Sequence, residues 1–375
     1  MLDDHHDWLT GRRRLSLYEQ TLEALITPQS VVVDLGCGSG ILGLLALRAG
    51  ARHVHAVEEA DVIEVARKTF SSAGLSDRVT FHRTHSSLLR LNELADLVLC
   101  DHVGFFGFDY GIVPTLADAR ARLLKPEGVL VPNRLRLFVA AVQSPLALKP
   151  VTRWCSEDVP REYRWLQDAA ANHKHAVEVE PEALLSDPVC IADYALGSDI
   201  APPRLLSEAA VLRIQREGTA HGLLGWFEAE LAPGIWMTNA PGHAGRIGRP
   251  QALLPLRNPI QLAEDEALEV TLRIRREDGL IAWTAQARGR PETRMQHSTW
   301  EGGRLSPDDL ARLDPAKYPT PNEKARAQQI VLGYCDGVRS AAEVEAIILR
   351  EHAGLFPSER ALRAFVAKTL LELAG

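Results

Sequence analysis

Residues 31–40 read Val-Val-Val-Asp-Leu-Gly-Cys-Gly-Ser-Gly, a short β-branched run that ends in three glycines at alternating positions. The pattern predicts a buried strand followed by a tight turn whose backbone approaches a ligand closely. The spacing is Gly-x-Gly-x-Gly, and it differs from the Gly-x-Gly-x-x-Gly of dinucleotide-binding loops. Asp34, directly before the turn, would repel a pyrophosphate but not a ligand that carries an amine.

Positions after the next two predicted strands indicate which ligand this turn accepts. Glu58 ends the second strand, 18 residues after Gly40, where a carboxylate can accept hydrogen bonds from both hydroxyls of a ribose. Ser86 and Ser87 follow the third strand, beside the expected adenine edge. These positions describe a nucleoside joined to an amino acid, which predicts S-adenosylmethionine as the cofactor. The alternative, a glycine-rich turn in another α/β protein, is disfavoured by Glu58. The predicted cofactor-binding residues here are Asp34, Gly36, Gly38, Gly40, Glu58, Ser86 and Ser87.

Two long segments differ in their periodicity. Residues 1–134 alternate short apolar strands with helices and predict a parallel, doubly wound sheet, an α/β Rossmann-like domain. Residues 135–300 favour extended segments joined by turns such as 232–234, with a helical interruption at about 151–177. The predicted strands of the first segment are 31–34, 54–57, 79–82, 97–100 and 129–131; its helices are 41–49, 61–70 and 115–124, the last stopped by Lys-Pro-Glu-Gly at 125–128.

The last segment, residues 301–375, is predicted to be a small helical module. Its helical patterns cover 322–334, 341–351 and 358–373. Ser340 precedes Glu343 by three residues, which predicts a capping box for the second helix. Ser358 is a candidate N-cap of the third helix.

Composition and charge narrow the range of partners. The chain has 375 residues and a formal charge of -7, which argues against nucleic acid as a partner. There is no apolar run of the ~20 residues that a membrane helix needs, and no signal peptide is recognisable. We therefore expect no membrane association and a cytoplasmic location. The five cysteines are far apart and indicate neither a disulfide framework nor a metal site, so no metal is predicted.

These motifs are similar to those of a known family. Segments 32–42, 49–51 and 56–58 resemble a class I S-adenosylmethionine-dependent methyltransferase, and 40–43 together with 125–134 resemble the protein arginine methyltransferases more narrowly. The resemblance covers roughly residues 8–290. It implies a β-barrel substrate domain after the cofactor domain.

The resemblance also implies a role for Arg14 and for the 151–177 segment. Arg14 would hold the cofactor carboxylate, and the alternative is an exposed arginine on a helix surface. The segment contains Trp154, Tyr163 and Trp165 and would correspond to the arm through which family members form homodimers. Aromatic residues are enriched at interfaces, although the same residues could instead cover the barrel of a monomer.

The chain departs from this family in the loop after the fourth strand. The family clamps a guanidinium between two glutamates; here Asp101 replaces the first, Tyr110 stands at the second, and Asp109 lies one residue early. His102 replaces a tryptophan, and residues 246–251 lack the family's Thr-His-Trp loop. Bidentate pairing is sensitive to such shifts, so arginine competes with another nitrogen, oxygen or carbon centre as the methyl acceptor. The predicted catalytic residues, which orient or deprotonate the acceptor, are Asp101, His102 and Asp109.

The C-terminal segments 321–325 and 332–344 resemble the helical part of a PqqD-like winged-helix module. Such a module would bind the leader of a ribosomally made peptide along its sheet edge. A helical cap docked on the barrel is the alternative.

The sequence thus supports two hypotheses of function. The first is an S-adenosylmethionine-dependent methyltransferase acting on a side chain of a peptide or on an amino-acid-derived natural-product intermediate. The second is a catalytically altered protein of the same fold that serves as a binding or scaffold module. The intact glycine loop favours the first hypothesis, whereas the altered acidic loop favours the second.

Overall fold

The computed structural model describes residues 6, 8–197, 205–275, 279–302, 316, 318, 320–356 and 358–374. The chain divides into two compact units, residues 1–303 and 304–375. Within the described residues, no helix combines the length and apolarity needed to cross a membrane.

The first unit begins with a five-stranded parallel sheet, and the mixed α/β class is confirmed. The strand order is β3-β2-β1-β4-β5. Every residue of β1 is buried, because strands of a parallel sheet are covered on both faces. Strands β2 and β3 are added on one side of β1, and β4 and β5 on the other side. Open α/β sheets bind ligands at this switch in strand order, at the carboxyl ends of the strands. The elements are α1 (Arg12–Leu25), β1 (Val31–Leu35), α2 (Ile41–Arg48), β2 (His53–Val57), α3 (Ile63–Ser72), β3 (Val79–His82), β4 (Ala95–Cys100), α4 (Ile112–Arg122) and β5 (Leu124–Val131).

The helix predicted at 115–124 ends two residues earlier than expected, and the strand predicted at 129–131 also begins earlier than expected. Helix α4 ends at Arg122, and β5 begins at Leu124 and includes the Lys-Pro-Glu-Gly residues. Leu124 pairs with Ala95, and the register then shifts before Val129 pairs with Leu97. The extra residues form an irregularity inside the strand, so a sequence typical of a turn is accommodated within the sheet.

The following β region consists of two antiparallel sheets. One sheet has the order β7-β12-β10-β6-β8, with β11 also paired to β10, and the other has the order β15-β14-β13-β9. The predicted turn at 232–234 joins β10 to β11. Their bounds are β6 (Arg134–Val142), β7 (His175–Val177), β8 (Val189–Ala195), β9 (Leu205–Arg213), β10 (Gly218–Ala232), β11 (Ile235–Thr238), β12 (Gln251–Leu262), β13 (Ala267–Arg275), β14 (Leu280–Ala287) and β15 (Met295–Ser298).

The segment predicted as helical at 151–177 contains only short helices. These are α5 (Lys149–Thr152), two 3₁₀ turns, and α6 (Leu166–Ala171). Residues 175–177 form β7, which pairs with β12. The prediction failed because four buried residues of this segment, Val151, Ala170, Ala171 and Val177, lie far apart along the chain and join one cluster with the β region, rather than forming one helical stripe.

A short helix, α7 (Thr299–Gly302), ends the described part of the first unit. In the second unit, the described residues form α8 (Glu323–Gly333), α9 (Ala341–Glu351) and α10 (Glu359–Leu373). The three predicted helices are therefore present. Residues 320–356 and 358–374 contain no strand, and the PqqD-like module stays a prediction.

Replacing Ser340 by Ala should destabilise α9 by about 1 kcal/mol. The Ser340 Oγ accepts a hydrogen bond from the Glu343 N–H, and the Glu343 carboxylate accepts one from the Ser340 N–H. Hydrogen exchange of the first-turn amides of α9 in the full chain should accelerate about fivefold. Ser340→Asp keeps an acceptor and should exchange at nearly the native rate; unchanged exchange in Ser340→Ala would contradict the capping role.

Candidate cofactor and acceptor site

The glycine turn lies at the carboxyl end of β1, beside β2 and β4. The Cys37 N–H donates to the Val57 carbonyl at 3.0 Å, which holds the turn against the end of β2. Gly36 has φ +65°, and a Cβ there would overlap the imidazole of His102. Only glycine permits both this backbone conformation and this close approach.

Asp34 is buried beneath the turn. Its Oδ2 accepts a hydrogen bond from the Gly43 N–H at 2.8 Å, near the start of α2, and the carboxyl group borders the first of two adjoining cavities. Burial raises the pKa of Asp34 to about 7, because desolvation outweighs that hydrogen bond. The carboxyl group is therefore only partly ionised near neutral pH.

Glu58 connects the end of β2 to the glycine turn. Its Oε2 accepts from the Gly38 N–H at 3.1 Å, and its Oε1 accepts from the Ala60 N–H at 3.0 Å. These partners fix the carboxylate at the border of the second cavity, which Ser86 also lines. Each carboxylate oxygen accepts one hydrogen bond from a backbone N–H group. Each oxygen therefore keeps a lone pair that can accept a hydrogen bond from a ligand hydroxyl.

Two cavities of about 400 and 330 Å³ meet at the glycine turn. Gly36, His102 and Tyr110 border both of them. The first cavity has Arg14, Asp34 and Asp101 on its walls, and the second has Glu58, His85 and Ser86. The site therefore offers Arg14, Asp34 and Asp101 at one end. At the other end it offers the Glu58 carboxylate, which can accept hydrogen bonds from the hydroxyls of a ribose.

Asp101, at the end of β4, is surrounded by three donors. Its Oδ2 accepts from Arg14 Nη1 at 2.8 Å and from Arg249 Nη2 at 2.6 Å. Its Oδ1 accepts from the Tyr18 hydroxyl at 3.0 Å. Arg14 also donates to the Trp8 carbonyl at 2.7 Å. Arg14 is thus buried rather than exposed on its helix, and it borders the first cavity while paired with Asp101.

The structure does not bring Asp109 to either cavity. The Phe105 and Phe106 N–H groups donate to its Oδ2 at 2.9 and 2.8 Å, and Lys174 forms an ion pair with its other oxygen. Burial lowers the pKa of Lys174 to about 8. Gly104 leaves the room that this carboxylate needs. Asp109 therefore shapes the loop between β4 and α4, and its position gives no support to the predicted catalytic role.

Two predicted cofactor residues also lie outside the cavity linings. Gly40 starts α2 with φ +84°, packed against Phe70. The Ser87 hydroxyl lies 2.8 Å from the Nδ1 of His85. Both residues support their neighbours rather than border the cavities.

Sequence reasoning missed Arg249, Tyr18 and Lys174. Tyr18 follows Arg14 by one helical turn on the same face of α1, a spacing that could have revealed it. Arg249 and Lys174 lie 148 and 65 residues from their carboxylate partners, and nothing local in the sequence indicates these contacts. Among the described residues, no group of three or more His, Cys, Asp or Glu side chains is placed to hold a metal ion.

Tyr110 forms an exposed wall of the site. Its φ of +56° is uncommon for a residue other than glycine, and 75% of its surface is exposed. Its ring lies edge-on to His102, with the centroids 6.1 Å apart. The site therefore has an aromatic side chain on the wall that both cavities share.

The chain is similar to known methyltransferases. The family model for ribosomal protein L11 methyltransferase (PrmA) matches residues 14–132. An arginine N(omega)-methyltransferase from Streptomyces achromogenes subsp. streptozoticus is 28% identical over 278 residues, which cover 72% of this chain and 75% of that protein. A probable protein arginine N-methyltransferase 6 from Arabidopsis thaliana is 31% identical over 146 residues, and the chain spans only 33% of its length.

Solved structures show the same fold. The PRMT1 enzyme–prozyme complex of Trypanosoma brucei aligns with a TM-score of 0.70 and 18% identity, covering 80% of this chain and 98% of that one. Arabidopsis thaliana protein arginine methyltransferase 10 gives a TM-score of 0.70 and 20% identity, with coverage of 80% and 97%. The two-part architecture of the first unit is therefore that of the arginine methyltransferases.

Replacing Asp34 by Asn should stabilise the ligand-free protein increasingly as pH rises. In the native state the pKa of Asp34 is about 7, above the ordinary 3.8. The folded native protein therefore loses stability as the pH rises from about 4 to about 7. An asparagine side chain does not ionise in this range, and its amide oxygen can still accept the hydrogen bond from the Gly43 N–H. The gain should be small near pH 4 and approach about 4 kcal/mol above pH 7, by 1.36 kcal/mol per pKa unit.

Urea unfolding of native and variant protein across that pH range measures the difference. Asp77→Asn, on the exposed turn before β3, serves as the control and should show no such trend. A gain from Asp34→Asn that is the same at both ends of the range would rule out burial of the charge as its cause.

Proposed function

We propose that this chain, a class I methyltransferase whose cofactor is S-adenosylmethionine, methylates an amino-acid-derived acceptor. The acceptor is either a side chain of a peptide or a free biosynthetic intermediate. The Streptomyces relative is named for methylation of arginine, which supports an acceptor of this general class.

The observation that carries the proposal is the pair of cavities that meet over Gly36. One end presents Glu58 to a ribose, and the other presents Arg14 and Asp34 to the two charged ends of an amino acid. Gly38 lines the first cavity and has no side chain, which allows a ligand to lie close against the turn. When bound, the cofactor supplies an electrophilic methyl group on a positively charged sulfur.

His102 is the residue best placed to accept a proton from the acceptor. Its imidazole packs against Gly36 and borders both cavities. Asp101 and Asp109 are each already paired with cationic side chains of the chain itself, so neither carboxylate is free to bind the acceptor. We therefore assign the proton-accepting role to His102 and the positioning of Arg14 and Arg249 to Asp101.

We also propose that two copies associate through the arm formed by residues 151–177. Tyr163 and Trp165 lie on it with 56% and 57% of their surfaces exposed. Exposed aromatic residues in one segment are typical of protein interfaces. The solved Trypanosoma relative is a heterotetrameric complex, which supports association of this fold.

Replacing Glu58 by Gln should weaken S-adenosylmethionine binding at least about tenfold, because the ribose loses a charged acceptor. Calorimetric titration measures the change, with Glu64→Gln on the exposed face of α3 as a matched control. The native protein at a hundredfold excess of ligand over its dissociation constant should gain about 2.7 kcal/mol of stability. Absence of this thermal shift would exclude the cofactor and favour the scaffold hypothesis.

Methyl transfer itself is tested with radiolabelled S-adenosylmethionine, offering free amino acids and short peptides as acceptors. Label that appears in an acceptor with native protein and disappears with His102→Ala supports the proposal. If the variant turns over at the native rate, His102 is not the proton acceptor.

Replacing Trp165 by Glu should shift the chain from dimer to monomer, because a buried charge at an interface is costly. Light scattering after size-exclusion chromatography gives the mass. Trp300→Glu, which replaces a tryptophan that is 42% exposed outside the arm, is the control. A native protein that is already monomeric at micromolar concentration would refute dimerisation through the arm.

A further inference from the structure

We propose that the acceptor carries a carboxylate that pairs with Arg249, and that Arg249 excludes a guanidinium from the site. This proposal rests on the proposed methyl transfer. It adds the chemical class of the acceptor and the residue that selects it.

The negative charge of Asp101 is already compensated by cations of the chain itself. Arg14 and Arg249 both donate to its Oδ2, and Tyr18 donates to its Oδ1. Arg249 places a guanidinium of the chain itself on the only carboxylate of the loop that borders the cavity. An incoming guanidinium would have to displace that group from a contact of 2.6 Å.

Arg249 still has N–H donors to offer to a ligand. A guanidinium has five N–H groups. Two of them donate, one to Asp101 and one to the Gly104 carbonyl at 3.3 Å. Within the described residues the other three have no protein acceptor. The side chain is 16% exposed and borders the first cavity, so these donors are available to a ligand there.

The charge balance of the first cavity disfavours a cationic acceptor. Arg14 and Arg249 contribute two fixed positive charges, and Asp101 contributes one negative charge. Asp34, the other carboxyl group in its lining, is only partly ionised near neutral pH, as described above. The sulfonium of the cofactor adds a further positive charge. A cationic acceptor would therefore be repelled, whereas a carboxylate can pair with Arg249 in the bidentate geometry that a guanidinium favours.

The loop contact gives Arg249 a fixed position before the acceptor arrives. Its guanidinium is held from two sides, by the end of β4 and by the Gly104 carbonyl. Preorganised donors lose less entropy on binding than a mobile side chain does. Arg246, three residues earlier in the chain, borders neither cavity and supplies a matched control.

The test uses the full chain saturated with S-adenosylhomocysteine and three small probes. Glutarate carries carboxylates, glutaramide is its neutral isostere, and methylguanidinium represents the cationic alternative. Calorimetric titration of the native protein should show glutarate binding at least about tenfold, or ~1.4 kcal/mol, more tightly than either of the others. Arg249→Gln should remove this preference while leaving the affinity for S-adenosylhomocysteine within about twofold. Arg246→Gln should behave as the native protein.

Several outcomes would overturn the proposal. These are methylguanidinium binding as tightly as glutarate, glutarate binding that survives Arg249→Gln, or no glutarate binding in the millimolar range. Failure of S-adenosylhomocysteine to bind would instead refute the proposed function itself, so the two failures can be told apart. A further arm compares free L-glutamate with a C-terminally amidated peptide that contains one glutamate. Tighter binding of L-glutamate identifies a small molecule as the source of the carboxylate, and tighter binding of the peptide identifies a peptide.

Discussion

The carboxylate of Asp101 connects three separate parts of the first unit. It ends β4 of the parallel sheet, and its partners come from α1 and from the segment just before β12. Without it, two guanidinium groups would face each other beside the cavity, which is strongly unfavourable in a partly desolvated site. This single network therefore fixes where the N-terminal helix and the β region meet the glycine turn, and so fixes the walls of the acceptor cavity.

The loop after β4 is held by a second, independent ion pair. Lys174 lies over the ring of Phe105, 4.3 Å from its centroid, and pairs with Asp109. Two backbone N–H groups complete the coordination of this carboxylate. Because a buried charge needs such partners to remain ionised, Asp109 supports the loop that carries His102 and Tyr110. The two acidic residues of the loop thus have structural partners, and their chemistry cannot be inferred from residue type alone.

The sequence was most informative where structure depends on neighbouring residues. The strand predicted at 31–34, the glycine turn and the caps Ser340 and Ser358 depend on local signals, and the structure contains each of them. The helix prediction for 151–177 failed because four of its buried residues, Val151, Ala170, Ala171 and Val177, are scattered along the segment and join one cluster with strands of the β region, not one periodic helical face. Arg249 was missed for a related reason: its contact joins residues far apart in the chain, and only the folded sheet order brings them together.

Glu58 and Asp101 show why equivalent positions in a sheet can have opposite roles. Both follow the carboxyl end of a parallel strand, and both border the site. Within the part of the chain that the structure describes, Glu58 accepts only from backbone N–H groups, which are neutral, so its charge remains available to a ligand. Asp101 is paired with two guanidinium groups, and its charge is already compensated. A ligand therefore meets an uncompensated negative charge at the Glu58 end and a net positive charge at the Asp101 end. This polarity orients a nucleoside toward Glu58 and directs an anionic acceptor toward Arg249.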